Sequence, residues 1–391
     1  VTHPGLTNGP IYLDYNATTP VDPRVVDAAL PYLTHHFGNP SSSHTYADAP
    51  RAAVGQARRQ VADLLGAAPG EIVFTAGGSE ADTLAVRGVA LAARGRADQV
   101  ITQATEHPAV LEACDSLQAD GFTITRLPVD EHGQVDPAVL EATITDRTVL
   151  VSIMAANSET GTLQPLAQLA AIAHRYGALF HTDAAQAAGK IPLDVKDLGV
   201  DLLTVVGHKM YAPKGVGALY VRSGTAVQPV IRGGGQERGL RAGTENVALI
   251  VALGAAAQLA ADDLPTEGKH LVGLRDALHD RLDALMPGLI RLNGHPTQRL
   301  PGTLNLSLTG VNGRDLLAAT PQIAAATGSA CHEGLDTPSA VLTAMGLGAE
   351  RSRSAIRLSL GRWTTADQVD QAAALLASRY AVLSAQAATT P

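Results

Sequence analysis

Four short segments carry side chains whose types and neighbours suit catalysis. Lys209, in Gly207-His208-Lys209, directly follows the apolar run 201–206. A lysine just past a buried strand can be desolvated, which lowers its pKa and makes the neutral amine available for a Schiff base. Asp183, in His181-Thr182-Asp183, ends another apolar run, where a carboxylate can keep a heterocyclic nitrogen protonated. Phe74-Thr75-Ala76-Gly77-Gly78-Ser79-Glu80 reads as a strand, two glycines and a helix start capped by Ser79, and free N–H groups at such a start bind phosphate. Cys331 lies among the small and polar residues 327–334, whose composition reads as an exposed, mobile loop where a reactive thiol would be placed. The other cysteine, Cys114, falls in the apolar helical stretch 109–117 and reads as a buried, inert thiol.

Taken singly, each segment has a plainer reading: a tight turn with an ordinary cap, a helix-capping Asp183, a surface-solvating Lys209. What outweighs these is their chain order, in which a phosphate site, an acidic partner for a ring nitrogen and a lysine follow one another. That set fits pyridoxal 5'-phosphate, whose pyridinium ring is an electron sink maintained by an acidic partner.

The elements that must position these residues alternate. Short apolar runs at 72–75, 99–103, 122–126, 149–153 and 178–182 are interleaved with amphipathic stretches at 81–93, 109–118 and 166–176. Strand, helix, strand in this order predicts an α/β fold with a mostly parallel sheet covered by helices on both faces, binding ligands at the carboxyl ends of its strands. After an Ala-rich helix at 246–261 the character changes to a long helix at 268–285, strands at 289–292, 303–307 and 354–359, and a last helix at 366–384. The boundary is placed near 262, giving a large domain over 17–262 and a small α+β domain from 1–16 and 263–391 that carries the Cys331 loop.

Composition bounds the function. The 391 residues are 46% hydrophobic and 17% charged, with no low-complexity tract, which predicts a compact globular chain of two domains. A net charge of -8 supplies no general positive field for nucleic acid or an anionic membrane. Neither a membrane span nor a signal-peptide pattern is read in the sequence, so a cytoplasmic setting is expected. Two cysteines are too few for a disulfide framework, and the histidines lack acidic or thiol partners at ligand spacing, so no bound metal is expected.

Several motifs, in order, resemble those of the cysteine desulfurases of the class V aminotransferase superfamily. They include Tyr12-Leu13-Asp14-Tyr15-Asn16-Ala17-Thr18-Thr19-Pro20, Glu106-His107-Pro108, Asn157-Ser158-Glu159-Thr160-Gly161, the segments 183–190 and 208–220, Arg238-Gly239-Leu240-Arg241-Ala242-Gly243-Thr244-Glu245-Asn246, Gly328-Ser329-Ala330-Cys331 and Ile356-Arg357-Leu358-Ser359. The resemblance runs from about Ile11 to the last helix. It implies fold type I, with a seven-stranded type of sheet, pyridoxal phosphate bound covalently through Lys209, and a homodimer.

It also implies roles. Lys209 moves the Cα proton and His107 stacks on the cofactor ring. Asp183 meets the ring nitrogen and Gln186 the phenolic oxygen. Gly78, Ser79 and His208 hold the phosphate, joined by Thr244 from a second subunit. Asn157 and Arg357 bind the substrate carboxylate. Cys331 then takes sulfur from L-cysteine as a persulfide, leaving alanine, and passes it to an acceptor protein serving iron-sulfur clusters, tRNA thiolation or DNA phosphorothioation. Selenocysteine lyase is the nearest alternative on this scaffold, followed by an aminotransferase, which needs no thiol, and a non-catalytic scaffold. One departure stands out: the family's usual serine two residues before the His-Lys pair is Val206 here, removing a donor worth about 1.5 to 3 kcal/mol to a charged group.

Overall fold

A computed structural model describes residues 3–328 and 338–389, so the expectations placed on Cys331 and its loop lie outside the described residues. The large sheet contains β1 (Ile72–Thr75), β2 (Gln99–Gln103), β3 (Thr123–Leu127), β4 (Thr148–Ser152), β5 (Leu179–Asp183), β6 (Leu202–Val206) and β7 (Gly217–Val221). Their order is β1-β7-β6-β5-β4-β2-β3, with only β7 antiparallel to its neighbours.

Adjacent strand residues point to opposite faces and both faces are buried, so these strands read as continuous apolar runs. Val151, Phe180 and Leu203 face a core shared with α1 (Asp48–Leu65). Leu150, Leu202 and Leu219 face a second core shared with α2 (Gly78–Ala92) and α3 (Pro108–Ser116). Helix α4 (Leu166–Arg175) joins α1 on the first face. Strand β1 would leave an open edge, a hazard for sheet pairing. Here side chains occupy it: Phe74 N–H donates to Glu237 at 3.0 Å, while Arg58 and Arg238 donate to the Ile72 carbonyl.

The helices expected at 246–261 and 268–285 are instead one helix, α5 (Val247–Leu285), which runs through Pro265. Proline removes an interior hydrogen bond, but packing holds both halves: the first against α1, the second against α6 (Ala366–Thr389). Helix α5 is also long and apolar enough to cross a membrane by length and composition, although the sequence reading found no such span. Many of its apolar side chains, Leu253 and Leu271 among them, are buried in the protein cores, while Val272 and Leu285 are exposed. A further core forms around the antiparallel strands β8 (Ile290–Leu292), β9 (Thr303–Leu308) and β10 (Ala355–Ser359), covered by α5 and α6. Leu13 enters that core, and Ile11–Tyr12 pairs in parallel with Ile323–Ala324.

Arg362 bridges these cores. It donates to Asp22 and Glu267, its guanidinium lies 4.3 Å from the centre of the Tyr211 ring, and its backbone N–H donates to the Tyr211 hydroxyl. Tyr211 has a left-handed backbone (φ 61), unusual for a bulky residue, two positions after Lys209.

Candidate active site

The carboxyl ends of the parallel strands surround a cleft of about 320 Å³. Gly78 and Ser79 follow β1, His107 follows β2, Asp183 ends β5, and Val206 ends β6 ahead of His208 and Lys209. Asn16, Ala17 and Arg357 close it from the side of the smaller core. Gln186 also lines the cleft. Of the other expected residues, Asn157 and Thr244 are not on its lining.

Lys209 leaves a short turn, Gly207–Lys209, and its Nζ donates to the carbonyls of Asn16 and Ala17, each at 2.7 Å. Neighbouring His208 is held against Thr18 through Nδ1 at 3.1 Å. Burial first, then the positive charges of Lys209, Lys214 and Lys190, push the His208 pKa down to about 4, so its ring is neutral at pH 7. His107 caps α3, with Nδ1 accepting from the Ala109 N–H at 3.1 Å. A neutral ring in that arrangement carries its proton on Nε2.

Asp183 accepts from the Ala185 N–H at 2.8 Å. Burial raises its pKa, opposed by that N–H, His107 and Lys209. Beside it lies Asp82, a residue the motif reading passed over. Its pKa is raised well above the usual carboxylate range by burial and by the charge of Asp183. Only the Thr204 hydroxyl favours ionised Asp82, against the Ala185 N–H, His107 and Lys209 for Asp183, so negative charge is favoured on Asp183 and Asp82 is the member held towards its protonated form. Glu106 is raised in the same way, by burial and then by Asp183. His181, whose pKa burial pushes down to about 3, lies beneath them between the hydroxyls of Ser152 and Thr204. The signal for Asp82 was available: it is an acid on the buried side of α2, among Ala81, Ala85 and Val86.

One expectation is corrected. Ser79 does not cap α2: Gly77 takes the cap position, and no side chain caps this helix. The first-turn N–H groups are therefore left without a side-chain acceptor at the cleft, as an anion site requires. A Cβ at Gly78 would lie 2.8 Å from Val206 Cγ2, so the valine fills the space that any larger residue at 78 would need.

Arg357 is buried on β10, with Nη2 donating to Asp14 at 2.6 Å and Nη1 to the Ser158 carbonyl at 3.2 Å. The Asn157 carboxamide is used in its own turn: Oδ1 accepts from Glu159 N–H and Thr160 N–H, and Nδ2 donates to the Thr105 carbonyl. Thr244 is exposed. The segment before it is clamped by the buried Glu237, which forms a two-armed ion pair with Arg58. Cys114 is buried, and desolvation pushes its thiol up to about 12, which leaves it unreactive as expected.

The aminotransferase class-V family matches residues 11–372. A cysteine desulfurase of Trichormus azollae is 50% identical over 363 residues, covering 92% of this chain and 90% of the relative. Among solved structures, a NifS-like protein superposes with a TM-score of 0.88 at 36% identity, covering 96% of this chain and 99% of its own. SspA in complex with cysteine gives 0.80 at 36% identity, covering 90% and 99%.

The chain belongs to the class-V aminotransferase family, among its cysteine desulfurases.

Like them it is a pyridoxal phosphate enzyme of fold type I. The cleft fits that cofactor: an uncapped helix start for the phosphate, a buried carboxylate for the ring nitrogen and a lysine amine share one cavity. Sequence reasoning about the desulfurase missed Asp82, which lies outside the quoted motifs, and gave no role to Glu106 and Asn16, which lie within them.

Proposed function

We propose that this desulfurase converts L-cysteine to L-alanine, with Cys331 receiving the sulfur. The observation that carries the reading is the convergence of Lys209, Asp183, His107 and the α2 start on one cleft faced by a buried arginine, Arg357. Gly78, Ser79 and His208 hold the phosphate, Asp183 keeps the ring nitrogen protonated, and Gln186 faces the phenolic oxygen. Bound there, pyridoxal phosphate supplies an electron sink that stabilises negative charge at the substrate Cα.

The chain's own groups do the rest. Arg357 takes the substrate carboxylate, for which a planar guanidinium is suited. Asn157 supports this by fixing the turn whose Ser158 carbonyl braces the guanidinium. Lys209 moves the Cα proton, with His107 assisting. The Cys331 thiolate attacks the substrate sulfur; an S–S bond forms as the Cβ–S bond breaks, and the carbon fragment takes up protons and leaves as alanine. No outside oxidant or reductant is needed for that half-reaction.

The working unit is proposed to be a homodimer in the cytoplasm that passes sulfur to an acceptor protein. Support for the dimer comes from Thr244, which is exposed and off its own cleft, and from the exposed apolar side chains Leu33, Phe37 and Tyr46. The test is alanine production from L-cysteine by cofactor-loaded wild type and Lys209→Ala. Turnover in the first and none in the second is expected; equal rates contradict the assignment.

A further inference from the structure

Lys190 has no role in the account above, yet it is joined to the site's core. The chain reverses at Gly189, whose backbone is left-handed (φ 73) and whose added Cβ would strike Met210 Sδ at 2.6 Å. Only glycine fits this turn against the neighbour of Lys209. The reversal brings the Lys190 amine back onto Gln186, where Nζ donates to Gln186 Oε1 at 2.9 Å and to Asn16 Oδ1 at 3.2 Å.

The donor count fixes the orientation of Gln186. The Asn16 backbone carbonyl can only accept, so the amide nitrogen must face it and the amide oxygen is left to meet Lys190, whether that amine is charged or neutral. That nitrogen donates one hydrogen to the Asn16 carbonyl at 2.9 Å and retains a second, and Gln186 is part of the cleft lining. The Asn16 carbonyl also accepts from Lys209 Nζ at 2.7 Å. Asn16 is in turn held through its backbone N–H to Ser359 and its Nδ2 to Ser158 and Thr303. Lys190 thus braces both Gln186 and the residue to which Lys209 is bonded.

We propose that Lys190 is a positioning residue: it presents Gln186 to the cleft as a hydrogen-bond donor and places positive charge beside the acceptor that Gln186 meets. The proposal rests on the reading that Gln186 faces the cofactor's phenolic oxygen. A donor and a nearby cation both favour the ionised oxygen over its protonated form. The charged groups acting on Lys190 are Lys209 and Arg357, which oppose its charge, and Glu267, which supports it; Tyr15 and Tyr211 line the adjoining pocket. Burial and these two cations push its pKa down to about 7. A neutral amine keeps two hydrogens, enough for Gln186 and Asn16 alike.

The experiment is a pH titration of the visible absorption of the cofactor-loaded enzyme for wild type, Lys190→Met and Lys190→Arg, with cofactor content measured on each. Lys190→Met should keep bound cofactor, shift the pH midpoint of the spectral change upward by about one unit, and lower kcat more than it changes KM. Lys190→Arg, which keeps charge and donors, should return the midpoint towards wild type. If the Met variant does not fold, Lys190→Gln is read in its place, with an upward shift again expected from the lost charge. An unmoved midpoint in a variant that retains cofactor overturns the proposal, as does loss of cofactor from the Met and Arg variants alike. A wild type that shows no visible cofactor band would instead defeat the site assignment on which the proposal rests.

Discussion

Arg357 is tied to Asp14 by a 2.6 Å hydrogen bond between a guanidinium that is 1% exposed and a carboxylate that is 22% exposed. A buried cation therefore already has one anionic partner at the cleft, and the Ser158 carbonyl holds it in plane. In the proposed role, a substrate carboxylate would meet an arginine whose direction is set beforehand, which lowers the entropic cost of binding.

Replacing that fork by a point charge should weaken substrate binding. Arg357→Lys is expected to raise the KM for L-cysteine by about tenfold or more, roughly one lost charge-assisted hydrogen bond. Steady-state kinetics on the cofactor-loaded enzyme checks this. An unchanged KM would place the carboxylate elsewhere.

Asp82 and Asp183 should respond oppositely to replacement by asparagine. Asp82 has a folded-state pKa well above its unfolded value, so its contribution to stability is fully present below the ordinary carboxylate pKa and is lost progressively as pH rises above it towards the raised folded-state value. Asp82→Asn, which mimics the protonated acid, should therefore be at least as stable as wild type at pH 5 and more stable at pH 8. A gain of about 1 to 3 kcal/mol corresponds to a few degrees in Tm. Thermal melts of the apoprotein at the two pH values decide it, and a variant less stable at both would refute a protonated Asp82. Asp183→Asn, by contrast, should abolish turnover.

Val206 and Gly78 form a size-matched pair at the α2 end of the cleft, where the phosphate is proposed to bind. Val206→Ser should tighten cofactor binding by about tenfold through one added donor to a charged group. Gly78→Ala should weaken binding strongly when Val206 is present and far less when it is combined with Val206→Ser, since the contact at 2.8 Å is with the valine methyl. Titration of the four apoproteins with pyridoxal phosphate measures the coupling; additive effects would contradict the pairing.

Much of the fold was legible because both faces of the large sheet are covered. Every β1–β7 residue except a few at strand ends and along β3 is buried, so the apolar runs marked β1 to β6 to within about a residue and their order gave the parallel topology, whereas the antiparallel β7 was not read as a strand. Helix α5 was misread because Pro265 is a break by local chemistry, whereas packing on α1 and α6 carries the helix through it. In the site, Lys209, Asp183 and the glycine turn could be found because each sits directly after a strand. Asp82, Asn16 and Lys190 could not be found that way: their importance lies in whom they touch. Asn16 reaches Lys209 across 193 positions, and no sequence spacing encodes that contact. Asn157 shows the converse, a motif residue whose amide is used within its own turn.

The most direct test of the account is a single turnover of L-cysteine on the cofactor-loaded wild type and Cys331→Ala, with alanine quantified and the mass of the peptide containing residue 331 measured before any reductant is added. The account predicts one alanine formed per site in the wild type, one sulfur atom gained on the Cys331 peptide, and neither in the variant. Alanine released at the wild-type rate by Cys331→Ala, or sulfur found on Cys114 instead, would contradict it.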